Sequence, residues 1–231
     1  MKTKTSGILS ILSLISTILF LIFFILDMSS AGPLNTFEQV LAHTARQSVL
    51  SFWAYANVTL LTILVTMFLA SLYILCKQTA PLWSAIAIVF APVYCVLNLF
   101  AYFSQITIVP RLLELGADPQ YRAFTEYLLY QLLQSWPGSA VSIFNNTAYA
   151  ILGIPSIIFG VILYKMSLRL RLGGIFLALN GVACILGIIG IVMQNAVLSW
   201  GSMVGAVFFL VSLFPLSWHF LRGLKPGNSV N

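Results

Sequence analysis

Charge is what this sequence has least of. Of its 231 residues, 7% are Asp, Glu, Lys or Arg, where a soluble domain carries about 25%. With 60% hydrophobic residues and a mean hydropathy of +1.01, that scarcity excludes a soluble globular domain and a disordered chain. Cysteine is also scarce. Cys76, Cys95 and Cys184 stand alone, without CxxC spacing, in or at the ends of apolar runs. Neither a disulfide-stapled secreted domain nor a thiolate metal site is expected from them. They read as small buried hydrophobes. The two histidines, His43 and His219, fall on opposite sides of the topology derived below, so a bis-His haem is excluded. A zinc site has at most His43 with Glu38 to draw on, too few ligands. No acid, Lys or Arg lies near the middle of an apolar run, which argues against a proton pump, a carboxylate cation site or a retinal Schiff base. Nucleophile elbow, HExxH, P-loop and GxGxxG patterns are all missing. No cofactor, metal or catalytic constellation is expected.

What the sequence has is apolar length. A helix rises about 1.5 Å per residue, so about 20 apolar residues cross the hydrocarbon core. Six runs qualify: 8–26, 49–76, 82–109, 144–164, 172–193 and 197–221. The expected fold is all-α, one polytopic transmembrane domain over residues 1–231, with six spans and both termini cytoplasmic. With the N-terminus inside, Lys2, Lys4, Lys77, Lys165, Arg169, Arg171, Arg222 and Lys225 lie on the cytoplasmic side. Arg46, Arg111 and Arg122 lie outside with all five acids: Asp27, Glu38, Glu114, Asp118 and Glu126. This is the positive-inside pattern. It accounts for the net charge of +6 without nucleic acid, and sets the inner basic groups against anionic lipid. Lys2 and Lys4 before an apolar run, with Ser29-Ser30-Ala31 after it, also resemble a signal peptide. The run is too long for a signal core, so the first helix is expected to be retained.

The inner connections, 77–81 and 165–171, are short, and the outer ones, 27–48 and 110–143, are longer. Both outer connections look structured, and one or two interfacial helices are expected there. Thr36 with Gln39 fits a capping box. Beyond it, Phe37, Val40, Leu41 and Thr44 share one face, while Glu38, Gln39, His43 and Arg46 share a polar one. The segment Gln120–Trp136 carries Tyr121, Tyr127, Tyr130 and Trp136, aromatics suited to a membrane interface, and Pro137-Gly138 ends it.

Uncharged polar residues inside the runs are the remaining chemical signal. Tyr94, Asn98, Tyr102 and Gln105 fall on one helical stripe, behind Pro92. Asn57 and Thr62 lie in the second run, and Asn145, Asn146 and Tyr149 open the fourth. At the helical rise, Asn98, Tyr149 and Thr62 come about 21–24 Å from the inner ends of their runs. Tyr94, Asn98, Tyr102, Gln105, Asn57, Thr62, Asn146 and Tyr149 are therefore the candidate ligand-binding residues, in an outer-half pocket. Against that stands a plainer role as interhelical glue, worth about 0.6 kcal/mol per bond. Asn180 lies deeper, near the level of Ser156, as a separate interhelical bond. Gly153, Ser156 and Gly160, then Gly187 and Gly190, then Gly201 and Gly205 mark close helix approach. Packing within the chain is the preferred reading, and a homodimer through Gly201 and Gly205 the sharper one.

The stretches Ala91-Pro92-Val93-Tyr94 through Gln105 to Pro110-Arg111, and Asn145-Asn146-Thr147 through Gly160, resemble a bacterial family of six-span integral membrane proteins of unknown function. The resemblance implies a prokaryotic cytoplasmic membrane and assigns no activity or functional residue. Three functional classes stay open. The first is binding or transport of a small neutral or amphipathic molecule. The second is an interaction or assembly subunit. The third is a membrane enzyme using outer-loop acids such as Glu114 or Glu126. The expectation leans away from an enzyme. The lipid bilayer is the one partner the composition demands.

Overall fold

The computed structural model describes residues 2–222, which are almost entirely helical and contain no strand. The helices are α1 (Lys2–Ser29), α2 (Phe37–Ala45), α3 (Val49–Cys76), α4 (Pro81–Leu115), α5 (Arg122–Leu132), α6 (Ala140–Met166), α7 (Leu168–Val192), α8 (Ala196–Ser199) and α9 (Gly201–Arg222). Six stretches are long and apolar enough to span a bilayer: Thr5–Ser29, Val49–Cys76, Pro81–Leu115, Ala140–Met166, Leu168–Val192 and Ala196–Leu221. The chain is a multi-pass membrane protein with an all-α fold. Lys225 lies outside the described residues, and of Lys2, Lys4 and Arg222 only the backbone is described.

Local chemistry sets the helix ends. Pro81 opens α4 at a position where its missing N–H costs nothing. Only Ser167 separates α6 from α7, and its hydroxyl accepts from Leu170 N at 3.3 Å as an N-cap. Asn195 caps α8 by accepting from Val197 N and Leu198 N. At 35 residues, α4 is about 52 Å long, well beyond the hydrocarbon core of about 30 Å. Four of the long helices contribute to both of two compact units. Among the described residues, one unit takes the chain up to Ile15, Ile63–Cys95 and the chain from Ala148 to Arg222; the other takes Ser16–Thr62 and Val96–Thr147.

The first unit is built on glycine contacts. A methyl group on Gly160 would overlap the Gly174 carbonyl, and one on Gly174 would overlap the Gly160 carbonyl. Gly153 and Gly181 repeat this reciprocal approach one step along α6 and α7. Gly187 and Gly190 meet Ser202 and Ser199, while Gly201 meets Ala183 and Gly187. Small residues let backbones approach where apolar lipid offers no driving force for helix pairing. The face that carries Gly201 and Gly205 is therefore taken up by α7 of the same chain. Asn180 takes part here rather than at Ser156: its amide Nδ2 donates to the Gly205 carbonyl of α9 at 2.9 Å. At the other end of α9, Ser217 Oγ donates to Ser10 Oγ of α1 at 3.0 Å, and Gly7 packs on Phe220.

The second unit holds the two short amphipathic helices. Phe37 and Val40 of α2, Val109 of α4, and Leu129 and Leu133 of the α5 region form one buried apolar cluster, flanked by Trp136. The Phe37 ring packs at a tilt against Tyr130 and edge-on against Trp136, at centroid distances of 4.9 and 5.8 Å. The capping box is present: Thr36 Oγ accepts from Gln39 N, and Gln39 Oε1 accepts from Thr36 N. α5 is shorter than the expected segment, 11 residues against 17, because Leu133 turns to an extended conformation.

Candidate functional site

Asp27, His43 and Ser51 form the most distinctive polar group of the second unit. Sequence patterning assigns Asp27 to a loop and His43 to the solvated face of α2. Neither holds. α1 continues through Asp27 to Ser29, so the carboxylate leaves the helix in its last turn and is 2% exposed. His43 is 7% exposed. It stands about 60° around α2 from Val40, at the edge of the apolar face, and docking turns that edge inward. Glu38 and Arg46 do stay exposed. The Glu38 carboxyl is held below the ordinary glutamate range by its own backbone amide and by Thr36, as suits an acid in the first turn of a helix.

Asp27 Oδ2 accepts from both neighbours. His43 Nε2 lies 3.1 Å away and Ser51 Oγ 3.0 Å away. The carboxylate thus joins α1, α2 and the first turn of α3. Ser30 and Arg46 add a further tie, since Arg46 Nη1 donates to the Ser30 carbonyl at 3.2 Å. Among the described residues, Asp27 Oδ1 and His43 Nδ1 are buried and have no hydrogen-bond partner. Groups so placed cost free energy unless something satisfies them.

Beside this group is a cavity of about 280 Å³. Buried His43, Gln105 and Val109 contribute to its lining, and half-buried Thr44, Ser51, Tyr55, Ile106 and Ser135 complete most of it. Exposed Gln47, Val49 and Phe52 also border it. No Lys, Arg, Asp or Glu is among the lining residues. Gln47 adopts φ +46°, a left-handed residue in the link between α2 and α3.

Of the residues picked from sequence, Gln105 lines this cavity. Its Nε2 donates to the Leu132 carbonyl at 2.9 Å and its Oε1 accepts from Gln134 N at 3.1 Å. Gln105 therefore pins the end of α5 to α4. The others sit elsewhere. Asn57 bonds α1, donating to the Ser16 carbonyl at 2.6 Å and accepting from Ser16 Oγ at 3.0 Å. Tyr102 accepts from Asn145 Nδ2 at 3.3 Å. Thr62 and Asn146 donate back to their own helices, at the Val58 and Ser142 carbonyls. Asn98 is fully buried, and among the described residues neither end of its amide has a partner. Tyr94 and Tyr149 belong to the first unit, where their rings lie 6.4 Å apart. Glu114 and Glu126 are exposed.

Sequence reasoning missed the Asp27–His43–Ser51 group. Two signals pointed to it. Asp27 directly continues an unbroken apolar run, so the helix carries it onward. His43 lies three residues after a core valine, within reach of the buried face. No family model matches the chain, and no curated protein or solved structure matches it.

Proposed function

We propose that this is a multi-pass protein of the prokaryotic cytoplasmic membrane that binds or transports a small neutral or amphipathic molecule. Positive-inside charge placement orients the termini to the cytoplasm and the end carrying α2 and α5 outward. The observation that carries the reading is the cavity of about 280 Å³ with apolar walls and a few buried polar groups. Small-molecule sites have this make-up, with volumes from about 300 Å³ upward. A lining free of Lys, Arg, Asp and Glu suits a neutral ligand better than an ion. Nucleophilic catalysis receives no support from the geometry. A hydrolytic triad needs the imidazole between acid and hydroxyl, whereas here the carboxylate stands between the imidazole and Ser51.

Native mass spectrometry of the protein, gently extracted from its own membrane, tests this reading. The wild type is expected to carry a stoichiometric small-molecule adduct, and Ile106→Trp, which puts a larger side chain on the cavity wall, to lose it. A wild type with no adduct, or an adduct that survives in Ile106→Trp, would overturn the proposal.

A further inference from the structure

The rim of the cavity is apolar where it is most exposed. Val49 and Phe52, in the first turn of α3, border it and are 71% and 48% exposed. Val49, Trp53 and Leu60 share one face of α3, with Phe52 beside them, and all are exposed. Leu60 lies well inside the spanning run Val49–Cys76, so this face is the one that lipid covers. Phe52 stands about 36 Å along α3 from its Cys76 end. The hydrocarbon core is about 30 Å thick, and about 40–45 Å with both headgroup layers. With Cys76 at the inner hydrocarbon edge, the rim falls in the outer headgroup layer. Gln47, exposed and polar, adjoins the same rim, as suits an opening where headgroups meet water. Inside, the polar side chains are largely spent on the protein. Thr44 Oγ donates to the Val40 carbonyl at 2.9 Å, Ser51 Oγ to Asp27 Oδ2 at 3.0 Å, and Tyr55 Oη to Gln134 Oε1 at 3.3 Å. The amide of Gln105 is bonded at both ends. The wall left to a guest is chiefly apolar, with Ile106, Val109, Pro110 and Leu113 of α4 in it.

We infer that the cavity is entered sideways from the outer leaflet, past Val49 and Phe52, and that its occupant is a neutral single-chain amphiphile dissolved in that leaflet. Such a molecule already lies at the depth of the rim and reaches the cavity without crossing water. Its chain meets apolar wall, and its head stays at the headgroup level. A volume of about 280 Å³ holds roughly ten non-hydrogen atoms at about 30 Å³ each. That is part of one chain and too little for a two-chain phospholipid. The inference rests on the cavity being a ligand site, as proposed above, and adds the class of ligand and its route.

Two measurements on the full-length protein in lipid nanodiscs test it. In a background lacking the native cysteines, Phe52→Cys and Ala117→Cys each carry a nitroxide. Electron paramagnetic resonance then reads collisions with oxygen, which concentrates in lipid, and with a nickel chelate, which stays in water. Position 52 is expected to show the higher oxygen-to-nickel ratio. A ratio no higher than that at 117 would overturn the lateral entrance. For the second measurement, hexadecanol bearing a mid-chain diazirine is dissolved in the bilayer and photolysed, and its adducts are mapped by peptide mass spectrometry. Val109 lines the cavity and is 1% exposed, so lipid around the protein reaches it only through the cavity. The wild type is expected to be labelled at Val109 as well as at lipid-facing Leu60, and Ile106→Trp to lose the Val109 label and keep that at Leu60. An unlabelled Val109 in the wild type, or a label that persists in Ile106→Trp, would overturn the inference. The native mass spectrum separates the two readings. An adduct lost in Ile106→Trp, with Val109 unlabelled by the fatty alcohol, removes the lipid route and leaves the cavity reading standing. Neither adduct nor label removes both.

Discussion

Two amides of the same α4 stripe have opposite surroundings. Asn98 is buried with both ends of its amide unpartnered among the described residues, whereas Gln105 satisfies a carbonyl and an N–H at the end of α5. A buried polar group without a partner costs about 1–3 kcal/mol, and removing one side of a made bond leaves the other side with that cost. Asn98→Leu is therefore expected to raise the unfolding midpoint, by the equivalent of about 1 kcal/mol. Gln105→Leu is expected to lower it by the equivalent of about 2 kcal/mol, because the Leu132 carbonyl and Gln134 N lose their partner. Intrinsic tryptophan fluorescence through a thermal ramp distinguishes the two. A fall for both variants would show that Asn98 has a partner after all. Both residues are legible in the sequence as members of one stripe. Their difference is not, because the period of a helix fixes the direction of a side chain and not what stands opposite.

The element that matters most to the site is α2. At nine residues it is too short to be stable alone. It is held by its capping box at one end, by Phe37 and Val40 in the apolar cluster, and by the His43 bond to Asp27. Thr36→Ala removes the cap and is expected to cost about 1 kcal/mol. Amide hydrogen exchange should then rise across 37–45 while the long helices keep their protection; unchanged exchange in α2 would show that the cap contributes nothing. Glu38 adds a weaker contribution of known sign. Its folded pKa is depressed, so its support of α2 is present above the ordinary glutamate range and fades as pH falls through the lowered value. Thr36 and Gln39 announce this helix in the sequence. Which way it rotates on docking depends on partners about 70–90 residues away, Val109, Leu129 and Leu133, and local patterning carries no information about those.

At the scale of the whole molecule, orientation is the property with the widest consequences, since it decides which compartment the cavity faces. The proposed orientation, argued from Lys and Arg placement, has the loop before α5 outside and the α3–α4 turn inside. Ala117 and Gln78 are exposed in those two segments. In a background lacking the native cysteines, Ala117→Cys is expected to react with a membrane-impermeant maleimide on intact cells. Gln78→Cys should react only after permeabilisation. The reverse pattern would invert the topology and turn the cavity toward the cytoplasm.

Composition and periodicity by themselves determined that the chain crosses a membrane, that it does so six times, and roughly where. Hydrocarbon thickness sets a minimum apolar length, and backbone groups in lipid must be satisfied within a helix. Small residues likewise announced close approach, and Gly153, Gly160, Gly201 and Gly205 do meet α7. Which polar groups meet was set by helix packing. It moved Asn180 from Ser156 to the Gly205 carbonyl and joined Asp27, His43 and Ser51 from three different helices. It also made Gln105, alone among the eight candidate residues, a wall of the cavity. The reason is physical: the membrane reads each helix separately and acts on its average polarity, whereas a site depends on the rotation and depth of neighbouring helices, which packing sets.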